Sequence, residues 1–132
     1  MTDTSKIQTL DFATALKAHA DWKSKLRNAI ETGEELDEAK VSRDDLCVLG
    51  TWLHDKDTQN TLAGLESYRH CKHKHADFHK EIGKVARAIN SKNFDLAKQM
   101  IATGSEYSDL STEIAMSLHQ LKKDAQSKMV EK

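Results

Sequence analysis

Three of the seven histidines in this 132-residue chain fall where a helical sequence should carry apolar side chains. His75 and His79 stand four apart within the run Tyr68, Lys72, His75, His79, Ile82, and His19 stands between Ala15 and Trp22 in another such run. An imidazole buried without a hydrogen-bond partner costs roughly 1 to 3 kcal/mol, so three in one small core call for something that satisfies them together. A divalent metal would do so. Side chains at i and i+4 share a helix face, which lets His75 and His79 converge on one ion. His19 and Cys47, from two other helices, can complete a set of three histidines and one cysteine, and a thiolate with neutral imidazoles suits Zn²⁺. Taken singly the signals are weak: a lone i,i+4 histidine pair is poor evidence of a metal, and Cys47 alone reads more readily as a small buried hydrophobe than as a ligand. Their joint placement on the seams carries the reading.

Other residues bear on such a centre. Gly50, one turn beyond Cys47, would let a neighbouring helix approach closely. Asp21 and Asp77 are candidate acceptors for the second N–H of a metal-bound imidazole, and Trp22 and Trp52 are candidates to wall the site, although each aspartate reads more readily as an exposed, solvated residue. His70, Cys71 and His73 fall at other angles of their helix and read as surface, while His54 and His119 have no evident companions. Val48 and Trp52 could form a contact surface or pack inward.

The elements that would position these residues are helical. The chain has no proline, five glycines and 5% aromatic residues, a composition that favours uninterrupted helices over strands. Four stretches stand out. The first runs from about Leu10 to Thr32, with Phe12, Ala15, His19, Trp22, Leu26 and Ala29 on one face, and stops near Gly33. A short second begins after Val41 with Ser42 as N-cap and Asp45 three residues on, carries Leu46, Leu49 and Leu53, and places Cys47 about one turn in; it ends between Asp55 and Asn60. The third spans Thr61 to Asn90, and the fourth runs from Phe94 to near Met129 with a kink around Gly104 and Ser105. Short connections make successive helices antiparallel, so the expected architecture is all-α, an antiparallel four-helix bundle with a metal site in its core.

Length and charge narrow the function classes. One domain over residues 1–132 is expected, with 20 Lys and Arg against 21 Asp and Glu, a balance that gives no reason to expect a nucleic-acid partner. No stretch approaches the ~20 apolar residues of a membrane span, and Met1 to Leu10 lack the pattern of a secretory signal, so a cytoplasmic protein with free thiols is expected.

At the same residues the sequence resembles the chemoreceptor zinc-binding (CZB) domain family. The resemblance rests on His19-Ala20-Asp21-Trp22, on Cys47-Val48-Leu49-Gly50-Thr51-Trp52-Leu53 against the family's Cys-x-Leu-Gly-x-Trp-Leu motif, and on His75-Ala76-Asp77-Phe78-His79 against its His-x-x-Phe-His pair. It implies a helical bundle with zinc held by His19, Cys47, His75 and His79. It also implies a regulatory role, often as a homodimer, reporting zinc or oxidants such as hypochlorous acid to a chemoreceptor, kinase or diguanylate cyclase in chemotaxis or cyclic-di-GMP pathways of bacteria. These 132 residues hold neither a cyclase domain nor a receptor coiled coil, which leaves a sensor acting on a partner, or one excised from a longer protein.

Catalysis is not expected. A zinc peptidase of the His-Glu-x-x-His type needs a general-base glutamate after the first histidine, where this chain has Ala76, and four protein ligands leave no position for water. Cys47 is the redox-reactive candidate, since metal-bound thiolate is the nucleophilic form. The alternatives are a purely structural zinc bundle and, more distantly, a hemerythrin-like di-iron site, which Glu66 and Glu81 do not clearly complete.

Overall fold

The computed structural model describes residues 11–45 and 47–130. Leu10 and Leu46, both assigned to helices above, and the segment Met1 to Leu10 lie outside the described residues. Among the described residues there are seven α-helices and no strand: α1 (Phe12–Thr32), α2 (Glu38–Val41), α3 (Val48–His54), α4 (Lys56–Leu62), α5 (Glu66–Asn90), α6 (Phe94–Met100) and α7 (Glu106–Val130). None of the described helices is long and apolar enough to cross a membrane.

Local chemistry sets the boundaries. Asp11 caps α1, its carboxylate accepting from the Ala13 and Thr14 amides at 3.1 and 3.2 Å, and Gly33 closes it in the left-handed region at φ 74°. The expected start at Ser42 does not form. Asp37 caps the unforeseen one-turn helix α2 through the Lys40 amide, and the Ser42 hydroxyl donates back to the Glu38 carbonyl at 2.7 Å, so Ser42 ends a helix instead of beginning one. Cys47 is therefore not inside a helix. It is the N-cap of α3, its sulfur accepting from the Gly50 amide at 3.3 Å.

The second and fourth expected stretches are each divided in two, and the third starts later, at Glu66. Asp55 ends α3 and caps α4, accepting from the Thr58 amide at 3.2 Å, so Thr61 closes one helix instead of opening the next. The fourth stretch breaks completely at Gly104, with φ 87°, and Ser105 accepts from the Ser108 amide at 3.2 Å to start α7.

The three long helices supply the core. Ala15, His19, Leu26 and Ala29 of α1 are buried with Tyr68, Phe78, Ile82, Val85 and Ile89 of α5 and with Tyr107, Ile114, Leu118 and Leu121 of α7. Lys74 of α5 pairs with Glu113 of α7 at 3.0 Å, and Phe78 meets Tyr107 with ring centroids 5.2 Å apart. Helix α2 lies along one strip of α5: Glu38 binds Arg87 at 2.8 Å, Ser42 packs on Gly83, and the Val41 carbonyl reaches His79. A Cβ on Gly83 would stand 2.0 Å from the Ser42 hydroxyl, so the small residue permits that approach.

Gly50 is tighter still, although its neighbour is not the helix expected. A Cβ there would stand 1.7 Å from the Asp44 carbonyl oxygen, in the backbone of the turn before Cys47. Gly50→Ala should therefore destabilise the protein by about 1 to 3 kcal/mol in urea unfolding. Gly64→Ala, where nothing lies within 4 Å, should leave stability unchanged or slightly raised. Equal midpoints for the two variants would contradict this packing.

Candidate metal centre

Three helices meet at the site. His19 lies in the middle of α1, His75 and His79 lie one turn apart on α5, and Cys47 enters from the N-terminus of α3. The three rings are buried, with 4%, 0% and 2% of the surface of His19, His75 and His79 exposed, while Cys47 is half-buried. Cys47 Sγ lies 3.2 Å from His75 Nε2 and 3.7 Å from His79 Nε2. Ligating atoms of His19, Cys47 and His75 all fall within 4.8 Å of one another. Thiolate sulfur and imidazole nitrogen on a tetrahedral zinc ion stand about 3.5 Å apart, so the sulfur–nitrogen distances are already near those of a ligand set.

The metal-facing Nε2 atoms of His75 and His79 are engaged with the Cys47 sulfur itself. His79 Nδ1 donates to the Val41 carbonyl at 3.0 Å, which directs Nε2 toward Cys47. Neither nitrogen of His19, nor His75 Nδ1, has a hydrogen-bond partner, and all three atoms are buried. Polar atoms are rarely left so in a folded core, and the His19 ring lies in the same cluster as the Cys47 thiol and His75. This donor set fits a borderline-soft divalent ion.

Electrostatics favours the same chemistry. Burial pulls His19 down to about 4, assisted by the neighbouring His79. Burial also pulls His75 down to about 2, with His79, His19 and His54 adding to the effect. Burial lowers His79 as well, partly opposed by the Val41 bond and the Asp44 carboxylate. All three imidazoles are neutral near pH 7, the form that ligates metals. Burial raises the Cys47 thiol, outweighing the Gly50 and Leu49 amides that favour its anion, so a nearby cation is what would make it a thiolate.

Other sequence expectations meet different outcomes. Asp21 is exposed, and Asp77 sits 3.5 Å from His73 on the outer side of α5. The acceptor that orients His79 is instead a backbone carbonyl, which no residue type announces. Trp22 sets its ring edge-on to His79 at 6.1 Å, and Trp52 is buried in the core with its ring against Phe12 at 5.7 Å, while Val48 stays exposed. Cys71, read as surface, is fully buried. His54, read as lacking a companion, pairs with Asp44 at 3.0 Å. Phe78 stacks on His19 with centroids 5.0 Å apart, a contact implied only by its place between the two α5 histidines. Glu66 is exposed and Glu81 pairs with Lys84 at 3.5 Å, so neither joins the cluster.

The fold and site define an all-helical protein with a buried histidine–cysteine centre able to hold a metal ion. Residues 19–93 match the chemoreceptor zinc-binding domain family, and the chain belongs to that family. The matched segment begins at His19 and contains Cys47, His75 and His79. Comparison with curated proteins and with solved structures found no match.

The depressed histidines carry a stability consequence for the metal-free protein. Unfolding returns His19 and His75 to an ordinary value of 6.5, so below that pH the unfolded chain binds protons that the folded core refuses. Stability should fall as pH drops from about 6.5 toward about 4, by up to about 1.4 kcal/mol per pH unit for each such histidine. Urea unfolding in chelator at about pH 7 and about pH 5 checks this, and His19→Leu should flatten the slope. Equal stability at the two pH values would contradict it.

Proposed function

We propose that this chain is a bacterial zinc-binding sensory domain of the cytoplasm in which His19, Cys47, His75 and His79 hold one Zn²⁺. The observation that carries this reading is the convergence of three buried neutral imidazoles and a thiol from three helices, with their metal-facing atoms unspent on other bonds. Bound zinc would supply the positive charge that keeps Cys47 as thiolate. We read the scaffold as an antiparallel four-helix bundle in which α3–α4 and α6–α7 each occupy one stretch. The Lys74–Glu113 and Phe78–Tyr107 contacts support this, since they rise along α5 as they fall along α7.

The signal in this reading is zinc availability or an oxidant acting at Cys47. The thiolate sulfur would form an S–O bond with the oxygen of hypochlorous acid as the O–Cl bond breaks, giving the sulfenic acid, with chloride leaving on the O–Cl electron pair. Sulfenic acid is a poorer ligand than thiolate, so His19, His75 and His79 would be left to hold the metal. The short segment carrying Cys47 then loosens from α1 and α5, a local change that a signalling partner can read. A second copy of the chain, a chemoreceptor, a kinase or a diguanylate cyclase is the class of partner we propose. We do not assign catalysis: the position after His75 is Ala76, and four ligands close the metal to water.

Metal analysis of protein purified without added metal should give about one zinc per chain. Stoichiometric hypochlorous acid should release it to a colorimetric chelator. Cys47→Ala should keep its helical content and bind zinc at least about tenfold to a hundredfold more weakly, since even partners outside the ligand shell contribute that much. It should also lose the response to oxidant. Tight zinc untouched by oxidant would instead support a structural ion, and iron at two per chain would overturn the ligand assignment.

A further inference from the structure

The turn before Cys47 folds back along the helix that follows it. The Asp44 carbonyl abuts Gly50, the Asp45 carbonyl accepts from the Thr51 hydroxyl at 3.3 Å, and the Asp44 carboxylate meets His54 Nε2 at 3.0 Å. Gly50, Thr51 and His54 form one strip from the first to the last turn of α3, so the turn lies along that strip and Cys47 sits at the bend. The Asp44 and His54 side chains are 26% and 34% exposed, whereas the adjacent Arg43–Asp45 pair stands out at 58% and 40%. A shielded pair persists where an exposed one is screened by water and salt.

Cys47 is also the ligand candidate with the least local support. His19, His75 and His79 stand in the interiors of 21- and 25-residue helices, whose backbone bonds fix them. Cys47 caps a helix of seven residues at the end of a turn and is the least buried of the four. Whatever holds the Asp44–Asp45 turn against α3 therefore sets where its sulfur stands.

We infer that Asp44 and His54 are positioning residues that latch the Cys47 arm, fixing its sulfur against His75 and His79 and governing how readily the thiol opens to solvent. The His54 Nε2–H donates to the Asp44 carboxylate whether the ring is neutral or charged, so the latch needs no change of protonation. The consequence for zinc release rests on the sensory reading above; the protection of the thiol does not.

The test uses the full chain stripped of metal, with iodoacetamide modification of Cys47 followed by peptide mass spectrometry and far-UV circular dichroism as the check on folding. Cys71 is fully buried and serves as an internal reference. Asp44→Ala and His54→Ala should each speed modification by about tenfold, the effect of losing one hydrogen bond to a charged group, and the double variant should be no faster than either. His54→Gln, which keeps a donor, should return to near the wild-type rate, and Arg43→Ala should match wild type. The zinc-loaded variants should release metal to a chelator faster in the same order.

Acceleration by Asp44→Ala with an unchanged or slower rate in His54→Ala would overturn the latch, because a carboxylate acting only through its charge would then be suppressing the thiolate. Wild-type rates in both variants would overturn it too. Failure of the wild type to bind zinc would count against the sensory reading, while the modification rates would still decide the latch.

Discussion

An imidazole removed from water must find something for both ring nitrogens, and this chain sets three of them against one another on two helices. His19, His75 and His79 enclose a space that hydrogen bonding leaves largely unsatisfied, with only His79 Nδ1 bonded among the helix-borne ring nitrogens that face away from Cys47. Burial holds the rings neutral, so the cluster cannot satisfy itself by becoming charged. The surrounding structure follows from closing that space. Phe78 and Trp22 wall it with aromatic surface, and the α2–α3 connection brings in a backbone carbonyl and a sulfur.

The rigid and the adjustable parts of the site are distinct. Long helices hold the three histidines, and their seam residues continue above and below the cluster into ordinary apolar core. Cys47 belongs to a connection tied down by separate small contacts: Ser42 on Gly83, Val41 on His79, and the Asp44–Asp45 turn on α3. A ligand carried by such a connection can be withdrawn without unfolding the helices that bear the others, which is the division of labour a sensor requires.

The histidines were legible in the sequence because helical periodicity makes a polar residue on an apolar seam conspicuous. The α5 pair needed only its spacing, and His19 only its place between Ala15 and Trp22. The all-helical class followed from composition in the same way. What escaped depended on the backbone. Ser42 and Asp45 have the residue types of a helix start, yet the hydroxyl of Ser42 turns back to Glu38 and the less usual Cys47 caps α3. The Val41 carbonyl has no side-chain signature, and Asp44 and His54 meet only because the turn between them reverses. Asp21 and Asp77 had the right chemistry near the right residues, but two positions along a helix turn the side chain by about 200°, and so away from the site.

X-ray absorption at the zinc K-edge, on protein purified without added metal, addresses the ligand set most directly. One sulfur at about 2.3 Å and three nitrogens at about 2.0 to 2.1 Å, with the sulfur contribution lost in Cys47→Ala, is the expected result. A shell of nitrogen and oxygen alone in the wild type, or a spectrum that Cys47→Ala leaves unchanged, would contradict a centre built from His19, Cys47, His75 and His79.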